Sequence, residues 1–174
     1  MRLAWGAAVD RPFALEVIAL SRRVRIPDPS DTMTVMAFET GGTFSPKVKN
    51  AAGSGAIGLI QFMPSTAFLL KTSTEALSKM TAIEQLQFVE AYFAPWSGKL
   101  KTLGDIYGAV LWPGMIGKPD NTPIFREGGD RPKLYLQNKG LDANKDSQIT
   151  RAEIVAKVAA TKARGLLPGN FIDI

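Results

Sequence analysis

Glu39-Thr40 and Phe44-Ser45-Pro46 lead into Gly55-Ala56-Ile57-Gly58-Leu59-Ile60-Gln61-Phe62-Met63-Pro64-Ser65-Thr66-Ala67. This stretch organises the reading of the whole chain. Val35, Met36 and Phe38 precede it as the apolar positions of a short helix that runs to about Thr40, with Asp31 as its expected cap. From Gly41 to Met63 the chain is rich in Gly, Ala, Ser and Asn and reads as a loop. Pro64 suits the first position of the next helix. Residues 40 to 74 contain no Asp or Glu, so Glu39 stands alone at a helix end that faces a small-residue loop. The negative end of the helix dipole and partial burial would both raise its pKa. A raised pKa suits a general acid that must carry its proton near neutrality.

Outward from this stretch, helical periodicity dominates and strand signals are few. Phe13, Val17, Ile18 and Leu20 form a stripe over Arg11 to Val24, with Asp10 as cap and Pro12 in the first turn. Ile26-Pro27-Asp28-Pro29-Ser30 is a break. Thr81 and Glu84 make a capping box that opens a helix to about Ala94, where Pro95 stops it. Leu103, Ile106, Tyr107, Val110 and Leu111 recur at helical spacing until Pro113. A polar stretch from Gly114 to Arg131 follows. The chain closes with helices over Pro132 to about Lys139 and Arg151 to about Arg164, the second ended by Gly165. These signals predict a mainly α fold of about seven helices in one domain spanning 1–174, with a helix-loop-helix at about 132–165.

Composition narrows the chemistry. The 174 residues include no cysteine and no histidine. That excludes a thiol nucleophile, a disulfide framework, a Ser-His-Asp triad and an ordinary catalytic zinc site. Proton transfer must run on Asp, Glu, Lys or Tyr. Hydrophobic residues make up 45% of the chain, enough for a core without disulfides or structural metal. The net charge of +5 favours acidic partners. Lys and Arg are scattered and form no nucleic-acid-binding pattern, so no nucleic-acid partner is expected. No uninterrupted apolar run is long enough for a transmembrane segment, and the first residues lack the apolar core of a signal peptide.

The run from Glu39 to Ala67 resembles the signature of the lytic transglycosylases, which share a lysozyme-like fold with goose-type lysozyme and include phage endolysins and virion-borne wall hydrolases. The resemblance is clear over residues 33–70 and weaker through Tyr107. The family's Met in the Gly-Leu-Met-Gln block is Ile60 here. The resemblance implies that Glu39 is the catalytic acid/base, that Gln61 and Met63 line the sugar groove, and that Tyr107 faces the catalytic carboxyl. The family's loop serine corresponds either to Ser54 or to a replacement by Asn50. Its Asn after the tyrosine is Gly108, so one substrate contact is absent. The implied activity is cleavage of the β-1,4 bond between N-acetylmuramic acid and N-acetylglucosamine of bacterial peptidoglycan by a monomer that needs no catalytic cofactor. The expected route is host-cytoplasmic synthesis without a signal peptide, then passage to periplasmic peptidoglycan through a holin or inside a virion. A hydrolytic muramidase and an inactive virion or wall-binding protein are the alternatives. The carboxylate-free stretch offers no obvious second acid, although Asp105 could fold back to supply one. Trp96 and Trp112 are candidates either for stacking on sugars or for packing.

A second motif lies near the end of the chain. Asp142, Asn144, Asp146, Gln148, Thr150 and Glu153 occupy positions 1, 3, 5, 7, 9 and 12 of a twelve-residue EF-hand-like loop, with Gln148 contributing its backbone carbonyl. Apolar Ile149 falls at position 8. Position 6, ordinarily Gly, is Ser147, where a left-handed backbone costs roughly 1–2 kcal/mol. Thr150 and Glu153 also form a capping box. The expected ligand is one structural Ca2+. The alternative is an EF-like turn that needs no ion.

Overall fold

The computed structural model describes residues 1–174. Its central element is a helix buried on every side. Helix α2 (Pro29–Glu39) has nine consecutive buried residues, Pro29 to Ala37, and packs against α1 (Arg11–Arg23), α6 (Leu103–Leu111) and α8 (Arg151–Gly165). The burial therefore extends beyond the expected apolar stripe to every side of the helix, polar residues included. Its buried polar side chains, Ser30, Asp31, Thr32 and Thr34, are all satisfied. Ser30 Oγ accepts the Ala4 N–H at 3.1 Å, Thr32 shares a 3.0 Å hydrogen bond with Ser21, and the Thr34 hydroxyl donates to the Ser30 carbonyl at 2.6 Å.

Asp31 does not cap this helix. Pro29 at the first helical position makes Asp28 the cap, and its carboxylate accepts the Ser30 N–H at 2.9 Å. Asp31 instead sits in the first turn and receives Lys162 of α8 at 2.6 Å, as Asp28 also does. This pairing ties the start of α2 to α8.

Eight α-helices make the fold mainly α. Besides those named they are α3 (Pro64–Leu69), α4 (Thr74–Lys79), α5 (Ala82–Phe93) and α7 (Pro132–Asn138). The caps expected at Asp10, Thr81 and Thr150 form. A further capping box, Thr102 with Asp105, opens α6. Gly165 does not end α8 in a left-handed turn; it remains helical and Leu166 follows as the cap. Its lack of a side chain serves packing, because a Cβ there would come within 2.3 Å of the Trp5 indole. Two short antiparallel pairs complete the fold. β1 (Arg2–Leu3) pairs with β4 (Ile172–Asp173), and β2 (Pro123–Arg126), within the polar stretch from Gly114 to Arg131, pairs with β3 (Gln148–Thr150). One core cluster joins residues from Leu3 to Val158.

Asp105 is committed to this framework. Its carboxylate accepts the Thr102 and Gly117 backbone N–H groups and pairs with Arg151, the first residue of α8, at 3.0 Å. Burial pushes its pKa up, but the Gly117 N–H, the Thr102 hydroxyl and the Arg151 charge outweigh that and hold it below the ordinary value. Both side chains are nearly inaccessible. Removing one partner alone strands a buried charge. Arg151→Leu is expected to lower stability by about 3 kcal/mol in urea denaturation, and adding Asp105→Ala should restore part of that loss.

Candidate functional site

Glu39 is the last residue of α2, where the buried helix reaches the surface. Thr40 turns the chain: its hydroxyl donates to the Met36 carbonyl at 2.7 Å and accepts the Phe44 N–H at 3.0 Å. The Glu39 side chain makes no hydrogen bond or ion pair within the protein and is only partly exposed. Burial raises its pKa from the ordinary 4.5 to about 7, and no charged neighbour offsets the effect.

Two tyrosines lie within the electrostatic reach of this carboxyl. Tyr107, 7% exposed on α6, packs edge-on against Phe38 with ring centroids 5.2 Å apart. Its pKa is raised first by burial and then by the Glu39 charge, so it remains a phenol at neutral pH. Tyr92 on α5 is raised by the same two causes in the same order. The hydroxyls differ in use. That of Tyr92 donates to the Ala109 carbonyl at 2.5 Å, whereas that of Tyr107 has no partner in the chain.

The glycine-rich loop forms the neighbouring wall. Gln61 adopts a left-handed backbone, with φ 54°, and its Nε2 donates to the Val48 and Gly58 carbonyls at 3.1 Å each. Its Oε1 is left without a protein partner. Gln61, Met63, Tyr92 and Val110 line a narrow cleft of about 40 Å³. The loop is held from beneath by Gln85, which is completely buried. Gln85 Oε1 accepts the Leu59 N–H at 3.1 Å, and its Nε2 donates to the Pro46 and Leu77 carbonyls at 2.9 and 2.8 Å. Gly58 is required here: its φ is 83°, and a Cβ would lie 2.4 Å from Gln85 Oε1.

The fold thus brings Tyr107 to Glu39 and sets Gln61 and Met63 beside Tyr92, which also senses Glu39. Ser54 and Asn50 are placed otherwise. Ser54 Oγ accepts the Ala56 N–H at 3.3 Å, and Asn50 Oδ1 accepts the Ala52 N–H at 2.8 Å, so both stabilise turns of the loop. Asn50 lines a wider hollow of about 420 Å³ between the loop and α4, to which Glu39 does not contribute. Asp105, engaged by Arg151, does not fold back to supply a second carboxylate. Gly108 makes room for Met115, whose Cγ would lie 2.7 Å from a Cβ there. Tyr92 and Gln85 carry no sequence signal beyond membership of an amphipathic helix.

At the other end, Asp142, Asn144, Asp146 and Glu153 gather round one turn. Asp142 accepts the Asp146 and Ser147 N–H groups and the Tyr135 hydroxyl, the last at 2.8 Å. Asn144 accepts the Asp146 N–H at 3.0 Å. Glu153 bridges the loop by accepting the Ala143 and Thr150 N–H groups at 3.0 and 2.8 Å. Ser147 takes the left-handed backbone expected of position 6, with φ 65°. Gln148 and Thr150 lie on β3, and Ile149 is fully buried opposite Phe125 of β2.

Comparison of the chain with protein-family models, with curated proteins and with solved structures returns no match.

The Glu39 shift has a measurable sign. The folded protein holds this proton more tightly than the unfolded chain, so the associated stability is complete below pH 4.5 and is lost as pH rises through about 7. Glu39→Gln removes that loss. In urea denaturation the variant should match the parent near pH 4 and exceed it at pH 8 by on the order of 2–3 kcal/mol.

Proposed function

We propose that this protein is a peptidoglycan glycosidase that cleaves the β-1,4 bond between N-acetylmuramic acid and N-acetylglucosamine with Glu39 as its single catalytic carboxyl. The observation that carries the reading is a partly buried glutamate, free of any ion pair, whose pKa lies near 7. Such a group is protonated in a useful fraction of molecules at neutral pH and can return as a base. The resemblance of residues 33–70 to the lytic transglycosylases supports the same assignment.

Glu39 protonates the glycosidic oxygen as the C1–O bond breaks. With no second carboxylate acting at the site, the substrate's own N-acetyl carbonyl stabilises the oxocarbenium-like centre, in the manner of substrate-assisted glycosidases. The ionised Glu39 then takes the proton of the muramyl 6-hydroxyl as that oxygen attacks C1, which closes the 1,6-anhydro ring and restores the acid. The free hydroxyl of Tyr107 and the free Oε1 of Gln61 are the polar groups available to orient the sugar beside it. A phage lysin, acting from the inner side of the wall or from a virion, is the setting we assign.

Glu39→Gln should abolish lysis of permeabilised cells while leaving the circular dichroism spectrum unchanged, and residual lysis near the parental rate would remove Glu39 from the mechanism. Mass spectrometry of the products should show 1,6-anhydromuramyl ends. Hydrated reducing ends alone would make the enzyme a muramidase. Parental activity should fall as pH rises past about 7, because the general acid is then ionised.

We also propose that the 142–153 loop holds one structural Ca2+. The donor set is all oxygen, from Asp142, Asn144, Asp146, the Gln148 carbonyl and Glu153, with Thr150 at position 9, and it suits a hard cation. When bound, the ion would neutralise the acidic loop and fasten α7 to α8. At about 5 mM calcium and a dissociation constant of about 0.5 mM, linkage predicts a gain of about 1.4 kcal/mol, or a rise of roughly 3–6 °C in Tm. Asp142→Ala should remove the rise. Failure of the parent protein to bind calcium in millimolar calorimetry would dismiss the ion.

A further inference from the structure

The two most exposed large apolar side chains of the protein are neighbours. Phe68 and Leu69 are each 79% exposed, on the outer side of the short helix α3. The inner side of that helix belongs to the core: Ala67 is completely buried and Leu70 packs against the main cluster. A helix with one buried face ordinarily turns polar residues to water on the other. Here two consecutive apolar residues take those positions, and they stand on an ordered point. The Leu70 N–H donates to the Thr66 carbonyl at 3.0 Å, the Lys71 N–H to the Phe68 carbonyl at 3.0 Å, and the Thr72 N–H to the Ala67 carbonyl at 2.9 Å. Neither Phe68 nor Leu69 lines the narrow cleft or the wider hollow.

The charge around this point has one sign. Lys47, Lys49 and Lys71 are the only charged residues between 40 and 74, and all three are exposed. The lysines that form ion pairs are Lys79, Lys139 and Lys162, so these three remain free. Lys71 takes a left-handed backbone, with φ 58°, at a helix end that favours glycine, and so sets a cation two residues from Leu69. The loop lysines lie on the same side. Gly55 abuts the head of α3, where a Cβ would come within 3.2 Å of Pro64 Cγ, and Lys49 shares the wider hollow with Thr74 and Ser78 of α4. Glu75, which also lines that hollow, is neutralised by Lys79 at 2.7 Å.

A phenylalanine and a leucine together present at most about 400 Å², roughly half of what each side of a specific protein interface buries. An apolar point flanked by unpaired cations suits a bilayer instead. We infer that the α3 tip is a membrane contact: Phe68 and Leu69 enter the headgroup–acyl boundary of an anionic bilayer while Lys47, Lys49 and Lys71 lie against its headgroups. The inference is independent of the glycosidase reading. It gives the cleft a location, because Met63 and Thr66 at the start of the same helix line it.

The test is co-sedimentation of the full chain with vesicles of phosphatidylcholine, alone or with about 30% phosphatidylglycerol. The parent should bind the anionic vesicles at least tenfold more tightly, and added salt should shrink the difference. Phe68→Ser combined with Leu69→Ser should weaken that binding by at least tenfold with an unchanged Tm. Lys47→Gln, Lys49→Gln and Lys71→Gln should each weaken it by about fivefold. Leu136→Ser, at an apolar residue 59% exposed on α7, should leave it unchanged, and an equal loss there would mean indiscriminate adsorption and overturn the assignment. Full affinity in the Phe68→Ser, Leu69→Ser variant, with loss only in the lysine variants, would reduce the contact to charge and overturn insertion. A parent that binds neither vesicle, or both equally, would overturn it as well. So would a parental dimer in vesicle-free buffer that the same double substitution dissociates, since the tip would then belong to a second copy of the chain.

Discussion

The structure depends on the burial of α2 from Pro29 to Ala37. A helix surrounded by α1, α6 and α8 has no solvent face to absorb error, so each of its polar side chains must find a partner inside the protein. Ser30, Thr32, Thr34 and Asp31 all do so. The ordering they impose extends to the last turn. Glu39 therefore emerges from a rigid element at a defined point, and the aromatic rings of Phe38 and Tyr107 close the space around it. Its raised pKa follows from burial: a carboxyl that makes no hydrogen bond or ion pair resists ionisation when partly withdrawn from water.

A second constraint acts on the glycine-rich loop that lines the cleft with Tyr92. Irregular backbone close to a core leaves polar groups that water reaches poorly. Gln85 meets this need by serving Leu59, Pro46 and Leu77 with one buried amide. α5 thereby does two things: it supports the loop through Gln85 and presents Tyr92 to the cleft. The pairing of Asp105 with Arg151 similarly locks α6, the helix that carries Tyr107, to α8.

Much of this framework was legible in the sequence because it rests on local contacts. Asp10, Thr81 with Glu84, and Thr150 with Glu153 cap helices through partners three residues away, and such spacing is visible in one dimension. The misreadings arise where distant chain segments decide. Asp28 and Asp31 are equally good caps by type, and the choice is settled by Pro29 and by Lys162, more than a hundred residues on. Gly165 looks like a terminator, yet its smallness answers to Trp5 at the other end of the chain. Strands of two to four residues carry too little alternation to be seen, so β2 was hidden in a polar stretch until Ile149 required a neighbour. For the candidate site, the position of Glu39 at a helix end was readable, as was the loop beside it. The isolation of its carboxyl was not, because that depended on where Asp105 would be held. Tyr92 and Gln85 were invisible for the same reason: a helix pattern shows that a residue points inward but not what it meets.

The backbone of Gln61 has a thermodynamic consequence. A left-handed conformation at a residue with a side chain is disfavoured by roughly 1–2 kcal/mol, and here two hydrogen bonds from that same side chain offset it. The loop consequently takes this shape on folding, held by its own hydrogen bonds. A ligand that docks against it need not first organise it, so little conformational entropy is lost at this wall on association.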